Sequence, residues 1–148
     1  MAKTWQAGVI GCGSVVQYLH IPGYLKCPGV KLVAICDPEP QRHEEALRMA
    51  PSLHVYNDYR TMLEAEKLDV VSVASPNCYH AEHACAALRY GAHVILEKPA
   101  AVNMKEIALI QQAVRQARRK LVVGFSHRFM RGNQKINKLV RGGAIGEP

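Results

Sequence analysis

The sequence contains no apolar run long enough to cross a bilayer, for which a helix needs about 20 consecutive apolar residues. It also lacks the basic stretch followed by an apolar stretch that marks a secretory leader, since strand-like sequence begins within a few residues of Met1. A cytoplasmic protein with reduced thiols is expected. The five cysteines, Cys12, Cys27, Cys36, Cys78 and Cys85, are odd in number, and no pair has a Cys-x-x-Cys spacing, so neither a redox nor a zinc motif is indicated. There is no internal repeat, and the scattered His43, His54 and His127 belong to no Ser-His-Asp spacing. Cys78, His80, His83 and Cys85 are ligand types for zinc. At about 100° per residue on a helix, however, the cysteines point one way and the histidines nearly the opposite way, so no metal is expected.

Acidic residues are scarce at the C-terminal end. Residues 107–148 hold nine Lys or Arg against the single acid Glu147, while the rest holds ten against eleven, so that the net charge of +7 is +8 in the tail and −1 before it. A basic stripe attracts phosphates or nucleic acid. Here the helical stretch from Asn133 to Arg141 puts Ile136, Leu139 and Val140 on one face and Lys135, Lys138 and Arg141 on a solvated opposite side. Stacking aromatics and a recognised nucleic-acid module are missing, so nucleic acid is not the expected partner.

What is present is enough apolar sequence, 49% over 148 residues, to bury a core without disulfides or metals. Short Val- and Ile-rich runs at Ala7 to Ile10, Lys31 to Cys36, Val70 to Ala74, His93 to Leu96 and Leu121 to Val123 predict buried strands. Helices are predicted between them over Val15 to Tyr24, Gln41 to Met49, Tyr59 to Ala65, Ala81 to Tyr90 and Lys105 to Arg118. Asp58, Gly91 and the Asn103–Glu106 pair supply end signals. Strict alternation of buried strands with helices predicts an α/β fold, a doubly wound parallel sheet flanked by helices in a single domain. The ligand site of such a sheet lies at the strands' carboxyl ends.

The residues at those ends are suggestive. The first strand runs into Gly11-Cys12-Gly13-Ser14-Val15-Val16, where two glycines permit a tight turn and close approach of backbone amides to a pyrophosphate, while the helix start favours its charge. Val16 replaces the third small residue of the G-x-G-x-x-G fingerprint and is expected to crowd the helix–strand contact. Cys12 in this loop reads as a thiol of lowered pKa or, more often, as a small spacer. Asp37 ends the next strand, 26 residues after Gly11 against the usual spacing of about 20, which an extended first loop explains. A carboxylate there accepts hydrogen bonds from the ribose hydroxyls of NAD and repels the extra phosphate of NADP, though Arg42 keeps NADP possible. Ser75-Pro76-Asn77 with His80 follows the run ending at Ala74. Glu97-Lys98-Pro99 follows the run ending at Leu96.

In this order the stretches resemble the Gfo/Idh/MocA family of glucose-fructose oxidoreductases, inositol dehydrogenases and relatives, over nearly the whole chain. The match runs through Gly8 to Gly13, His20, Val33 to Asp37, Ser75-Pro76-Asn77 with His80, Ala87-Leu88, Gly91, Glu97-Lys98-Pro99, and Val123-Gly124-Phe125 with Arg128-Phe129. The resemblance implies a Rossmann-type domain over 1–126 that holds NAD, with NADP as the lesser expectation. It implies hydride transfer between nicotinamide and a carbinol carbon of a sugar, inositol or similar polyol. Lys98 resembles the motif lysine that orients the reacting hydroxyl and assists its proton transfer. Gly11, Gly13, Ser14, Val15, Asp37, Arg42, Ser75, Pro76, Asn77, His80 and Glu97 are the expected cofactor contacts, with Arg128 near the nicotinamide end.

Gly132 departs from the family pattern, where a proline often follows the Arg-Phe pair. The sequence stops where the family's second, substrate-binding domain begins, so 127–148 reads as a basic helical extension toward a part that is absent. This chain is therefore expected to bind dinucleotide without turnover, and a full-length form to be a homo-oligomer. The competing expectations are a stand-alone nucleotide-binding regulator or interaction module, and a transcriptional or RNA-binding role for the tail.

Overall fold

The computed structural model describes residues 3–146. Six strands form one sheet: β1 (Trp5–Ile10), β2 (Val30–Cys36), β3 (His54–Tyr56), β4 (Val70–Val73), β5 (His93–Leu96) and β6 (Leu121–Val123). Every neighbouring pair is parallel, in the spatial order β3-β2-β1-β4-β5-β6. The helices are α1 (Ile21–Lys26), α2 (Pro40–Met49), α3 (Tyr59–Ala65), α4 (His80–Arg89), α5 (Met104–Ala117) and α6 (Arg131–Arg141), and a π-helical segment, Val16–His20, precedes α1. The expected doubly wound α/β sheet is observed.

The chain winds outward from β1 to β3, returns to β4 beside β1, and winds outward again. Right-handed crossovers then place α1 and α2 on one face and α3, α4 and α5 on the other. The core divides accordingly. Ala7, Val9 and Ile35 pack with Val16, Ile21 and Ala46 on the α1–α2 face. Ile10, Val71, Val73, Val94 and Leu96 pack with Met62, Leu88 and Ile110 on the other. Consecutive strand residues such as Val9 and Ile10 thus serve opposite cores, because successive side chains of a strand point to opposite faces.

One expectation is corrected. The predicted strands omit β3, whose His54 and Val55 are exposed and whose Tyr56 is half-buried. An edge strand pairing only with β2 needs no apolar run. The helix expected over residues 15–24 runs unbroken from Ser14 to Lys26, with one π-helical turn, Val16–His20, inside it.

The end signals are used. Asp58 accepts from the Arg60 and Thr61 amides at the start of α3, each at 3.0 Å. Asn103 accepts from the Glu106 amide at 3.0 Å while the Glu106 carboxylate reaches back to the Val102 amide at 3.2 Å, a displaced capping box. On α5, Ile110 is buried and Val114 and Ala117 pack on the core. α6 buries no residue: Ile136 and Leu139 are exposed.

Candidate functional site

The crevice lies where the strand order reverses, outside the C-terminal ends of β1 and β4. Gly11 follows β1 with φ of +89°, and an added Cβ would stand 2.6 Å from both the Ala74 oxygen and the Ser75 nitrogen. Only glycine lets these two loops touch. At Gly13 an added Cβ would meet nothing within 4 Å. The carbonyl of Gly13 accepts from the Val16 and Gln17 amides at 3.0 and 3.2 Å. The amides ahead of Val16 at this helix start have no intrahelical partner and lie at the positive end of the peptide dipoles. Open space therefore stands before donors suited to an anion.

The crowding expected from Val16 is absent. It is fully buried in the α1–α2 core, seated by the wider π-helical turn. Cys12 is also fully buried, and burial, with Asp37 adding to it, pushes its thiol up to about 12. That removes the reactive-thiol reading and leaves the spacer.

Asp37 lies at the end of β2, 2% exposed. Its Oδ2 accepts from the Cys12 amide at 2.7 Å and from Arg42 at 3.2 Å, and its Oδ1 accepts from the Glu39 amide at 3.0 Å. The two residues that favour different cofactors are thus one ion pair, with the Arg42 side chain half-exposed and the Asp37 carboxylate buried. Beside them opens a cavity of about 370 Å³, lined by Gly11, Asp37 and Arg42 on one side and by Ser75, Pro76 and Tyr79 on the other. Its volume falls within the range of small-molecule sites.

Sequence reasoning missed part of this wall. The His83 ring lies 4.4 Å from that of Tyr59 and stacks 5.7 Å from that of Tyr79, and its Nδ1 meets Ser75 Oγ at 2.9 Å. Burial holds His83 below the usual histidine range, so it is neutral at pH 7. All three line the cavity, presenting aromatic surface to a flat ring. The signal was available in the one-turn spacing from Tyr79 to His83.

His80 is 1% exposed. Its Nδ1 and Nε2 lie 2.6 and 2.9 Å from the Pro99 and Ser75 carbonyl oxygens, so it ties together the loops after β4 and β5 and offers no surface of its own. Glu97 is largely buried while Lys98, the second residue after β5, is exposed. Ser14 and Asn77 are exposed and Val15 half-buried, at the starts of the turns after Gly13 and Pro76. Arg128 stands apart in the 3₁₀ turn Ser126–Phe129, its guanidinium 5.6 Å from the Phe125 ring centre. Among the described residues no cluster of three or more His, Cys, Asp or Glu can hold a metal, and no helix is long and apolar enough to cross a membrane.

Residues 5–125 match the model of the Gfo/Idh/MocA oxidoreductase family, described as having an NAD-binding Rossmann fold. The chain belongs to this family. Among curated members, D-glucoside 3-dehydrogenase of Escherichia coli is 34% identical over 142 residues, covering 96% of this chain and 40% of that protein. Inositol 2-dehydrogenase of Salmonella typhimurium is 30% identical over 148 residues, covering 98% and 44%. Among solved structures, scyllo-inositol dehydrogenase from Lactobacillus casei, with bound NAD(H) and scyllo-inositol, superposes with a TM-score of 0.88 at 29% identity, covering 97% of this chain and 43% of that one. Myo-inositol 2-dehydrogenase from Lactobacillus plantarum gives 0.90 at 27% identity, covering 97% and 43%. The chain thus spans less than half the length of these family members. As a family member it is an NAD-binding oxidoreductase domain.

Proposed function

We propose that this chain is the cofactor-holding part of a dehydrogenase that moves hydride between nicotinamide and a secondary alcohol or carbonyl carbon of a sugar, inositol or similar polyol. The observation that carries this reading is that the open space at Gly13 and the exposed Lys98 both follow the carboxyl ends of strands of the one parallel sheet, β1 and β5. The cradle at Gly13 fits a pyrophosphate, the cavity beside Asp37 fits the adenosine half, and NAD, when bound, supplies the hydride acceptor or donor. The Lys98 ammonium would lie against the reacting hydroxyl, where a fixed cation lowers the cost of developing alkoxide charge. Asn77 and Glu97 flank that end of the site, while Arg128 stands apart in the turn after β6.

Asp37 favours NAD over NADP because its carboxylate accepts from ribose hydroxyls and repels a 2′-phosphate. Residues 127–148 lead, on this reading, to a further domain that supplies the remaining substrate contacts and a second proton-transfer group. The longer protein works as a homo-oligomer. The sugar and inositol substrates named for the similar dehydrogenases support the substrate class.

Incubating the chain with NAD and a panel of polyols while following reduced nicotinamide absorbance tests the division of labour. Binding without steady-state turnover is the expected result, and steady-state oxidation by this chain alone would contradict the need for a further domain. In a form that does turn over, Lys98→Ala lowers kcat by about 100-fold or more, the loss typical of a missing oxyanion stabiliser.

A further inference from the structure

A second set of polar side chains lies behind Lys98, on the α1 face of the sheet. His20 is the last residue of the π-helical segment, Tyr24 is on α1, Ser72 is on β4, and Glu97 follows β5. His20 Nε2 lies 3.1 Å from Glu97 Oε1, and His20 Nδ1 lies 3.1 Å from Ser72 Oγ. Ser72 Oγ lies 2.8 Å from the Tyr24 hydroxyl. Glu97 Oε2 accepts from the Lys98 backbone amide at 3.2 Å. The side chains of His20 and Glu97 are only 10% and 15% exposed, and Ser72 is fully buried.

With His20 as the neutral imidazole, the partners fix the direction of every bond. A carboxylate only accepts, so His20 carries its proton on Nε2 and donates it to Glu97. Nδ1 is then the acceptor, and the Ser72 hydroxyl donates to it. The Ser72 oxygen in turn accepts from Tyr24, whose phenol burial holds above the usual tyrosine range and therefore protonated. The chain runs Tyr24 to Ser72 to His20 to Glu97 and ends on the amide of Lys98. Gly124, after β6, fits the same arrangement: a Cβ there would press to 3.1 Å on Glu97 Oε1.

We propose that His20 is a positioning residue for Lys98, holding the Glu97 carboxylate through Nε2–H so that Glu97 anchors the Lys98 backbone, with Ser72, itself held by Tyr24, donating to Nδ1. Without His20 the carboxylate is free to rotate, and the loop carrying Lys98 loses its anchor. The assignment rests on the reading of Lys98 as the group that meets the substrate hydroxyl, but its geometry does not.

Ring-nitrogen NMR of histidine together with backbone amide NMR of this chain tests it. Wild type is expected to show His20 protonated at Nε2 and bare at Nδ1. His20→Ala is expected to shift the Lys98 amide resonance. His20→Gln, whose side-chain N–H falls where Nε2–H stood, restores it, whereas His20→Asn, which mimics Nδ1, does not. A merely structural histidine gives no such split. An Nδ1–H tautomer, a Lys98 amide indifferent to His20→Ala, or equal recovery in the Gln and Asn variants would each overturn the assignment. Should His20→Ala fail to fold, Tyr24→Phe serves instead. It removes only the terminal donor and leaves Glu97 facing Nε2, so the Nε2–H tautomer is expected to persist, and appearance of an Nδ1–H tautomer would overturn the assignment. Titrating wild type with NADH and ADP-ribose separates the two claims. Failure to bind either dismisses the cofactor site while the spectra still decide His20, and normal binding with the wrong tautomer dismisses His20 alone.

Discussion

Gly11 and Gly13 stand two residues apart in one loop and are glycine for different reasons. Gly11 combines positive φ with backbone neighbours at 2.6 Å, so Gly11→Ala is expected to cost about 2 kcal/mol or more of stability through strain and clash. Gly13 has ordinary φ and empty space beside it, so Gly13→Ala is expected to change stability by less than about 0.5 kcal/mol while weakening NADH. Urea unfolding of both variants, paired with NADH titration, checks this. Equal stability losses would remove the distinction. The loop glycines, Asp37 and Glu97-Lys98-Pro99 were legible in the sequence because each ends an apolar strand, where a polar or small residue stands out. The contacts of His20 with Ser72 and Glu97 were not, since they join residues 52 and 77 apart. Nothing local in the sequence announces them. The pairing of Asp37 with Arg42 was hidden differently: both were marked, but as rivals for the cofactor, and only the structure shows them sharing one charge pair.

At the scale of elements, the long periodic helices and the buried strands were readable to within a residue or two, because their apolar faces repeat. The short edge strand β3 and the π-helical segment were not, because neither has a hydrophobic period of its own. The cap of α3 was legible and yields a pH prediction. The backbone amide of Thr61 is the main cause holding Asp58 below the usual aspartate range. A carboxyl with a depressed folded pKa stabilises the protein above its unfolded pKa, and that stability is lost as pH falls through the folded value. Asp58→Ala is therefore expected to cost about 1 kcal/mol near neutrality, the usual worth of an N-cap. The gap from wild type should close once the pH is well below about 4, where the unfolded carboxyl is protonated. Unfolding midpoints measured across that range check the sign, and a gap that widens on acidification would contradict it.

At the scale of the whole molecule, one half of the sheet is covered on a single side. α3, α4 and α5 close one face, but beyond α1 the other face leaves Ile95 half-buried and Val122 53% exposed. Phe125, Phe129 and Ile136 follow, 53%, 75% and 58% exposed, within the strongly basic C-terminal part. An apolar surface of this kind is the expected seat of the further domain proposed above, and without it the chain is expected to self-associate as concentration rises. Sedimentation over a concentration series decides this, and a monodisperse monomer at high concentration would count against it. The charge asymmetry was legible from composition, whereas the bare face was not, because a strand written for burial on both sides looks the same whichever chain covers it.

The crevice itself is decided most simply by calorimetric titration of this chain with NADH and with NADPH, repeated on Asp37→Asn. Asparagine keeps an acceptor for the Cys12 amide and removes the charge that faces Arg42, so the loop is expected to survive. NADH binding preferred over NADPH in wild type, with the preference lost in Asp37→Asn, is the predicted result. Binding of neither dinucleotide, or an NADPH preference in wild type, would contradict the placement of the cofactor between Gly13 and Asp37.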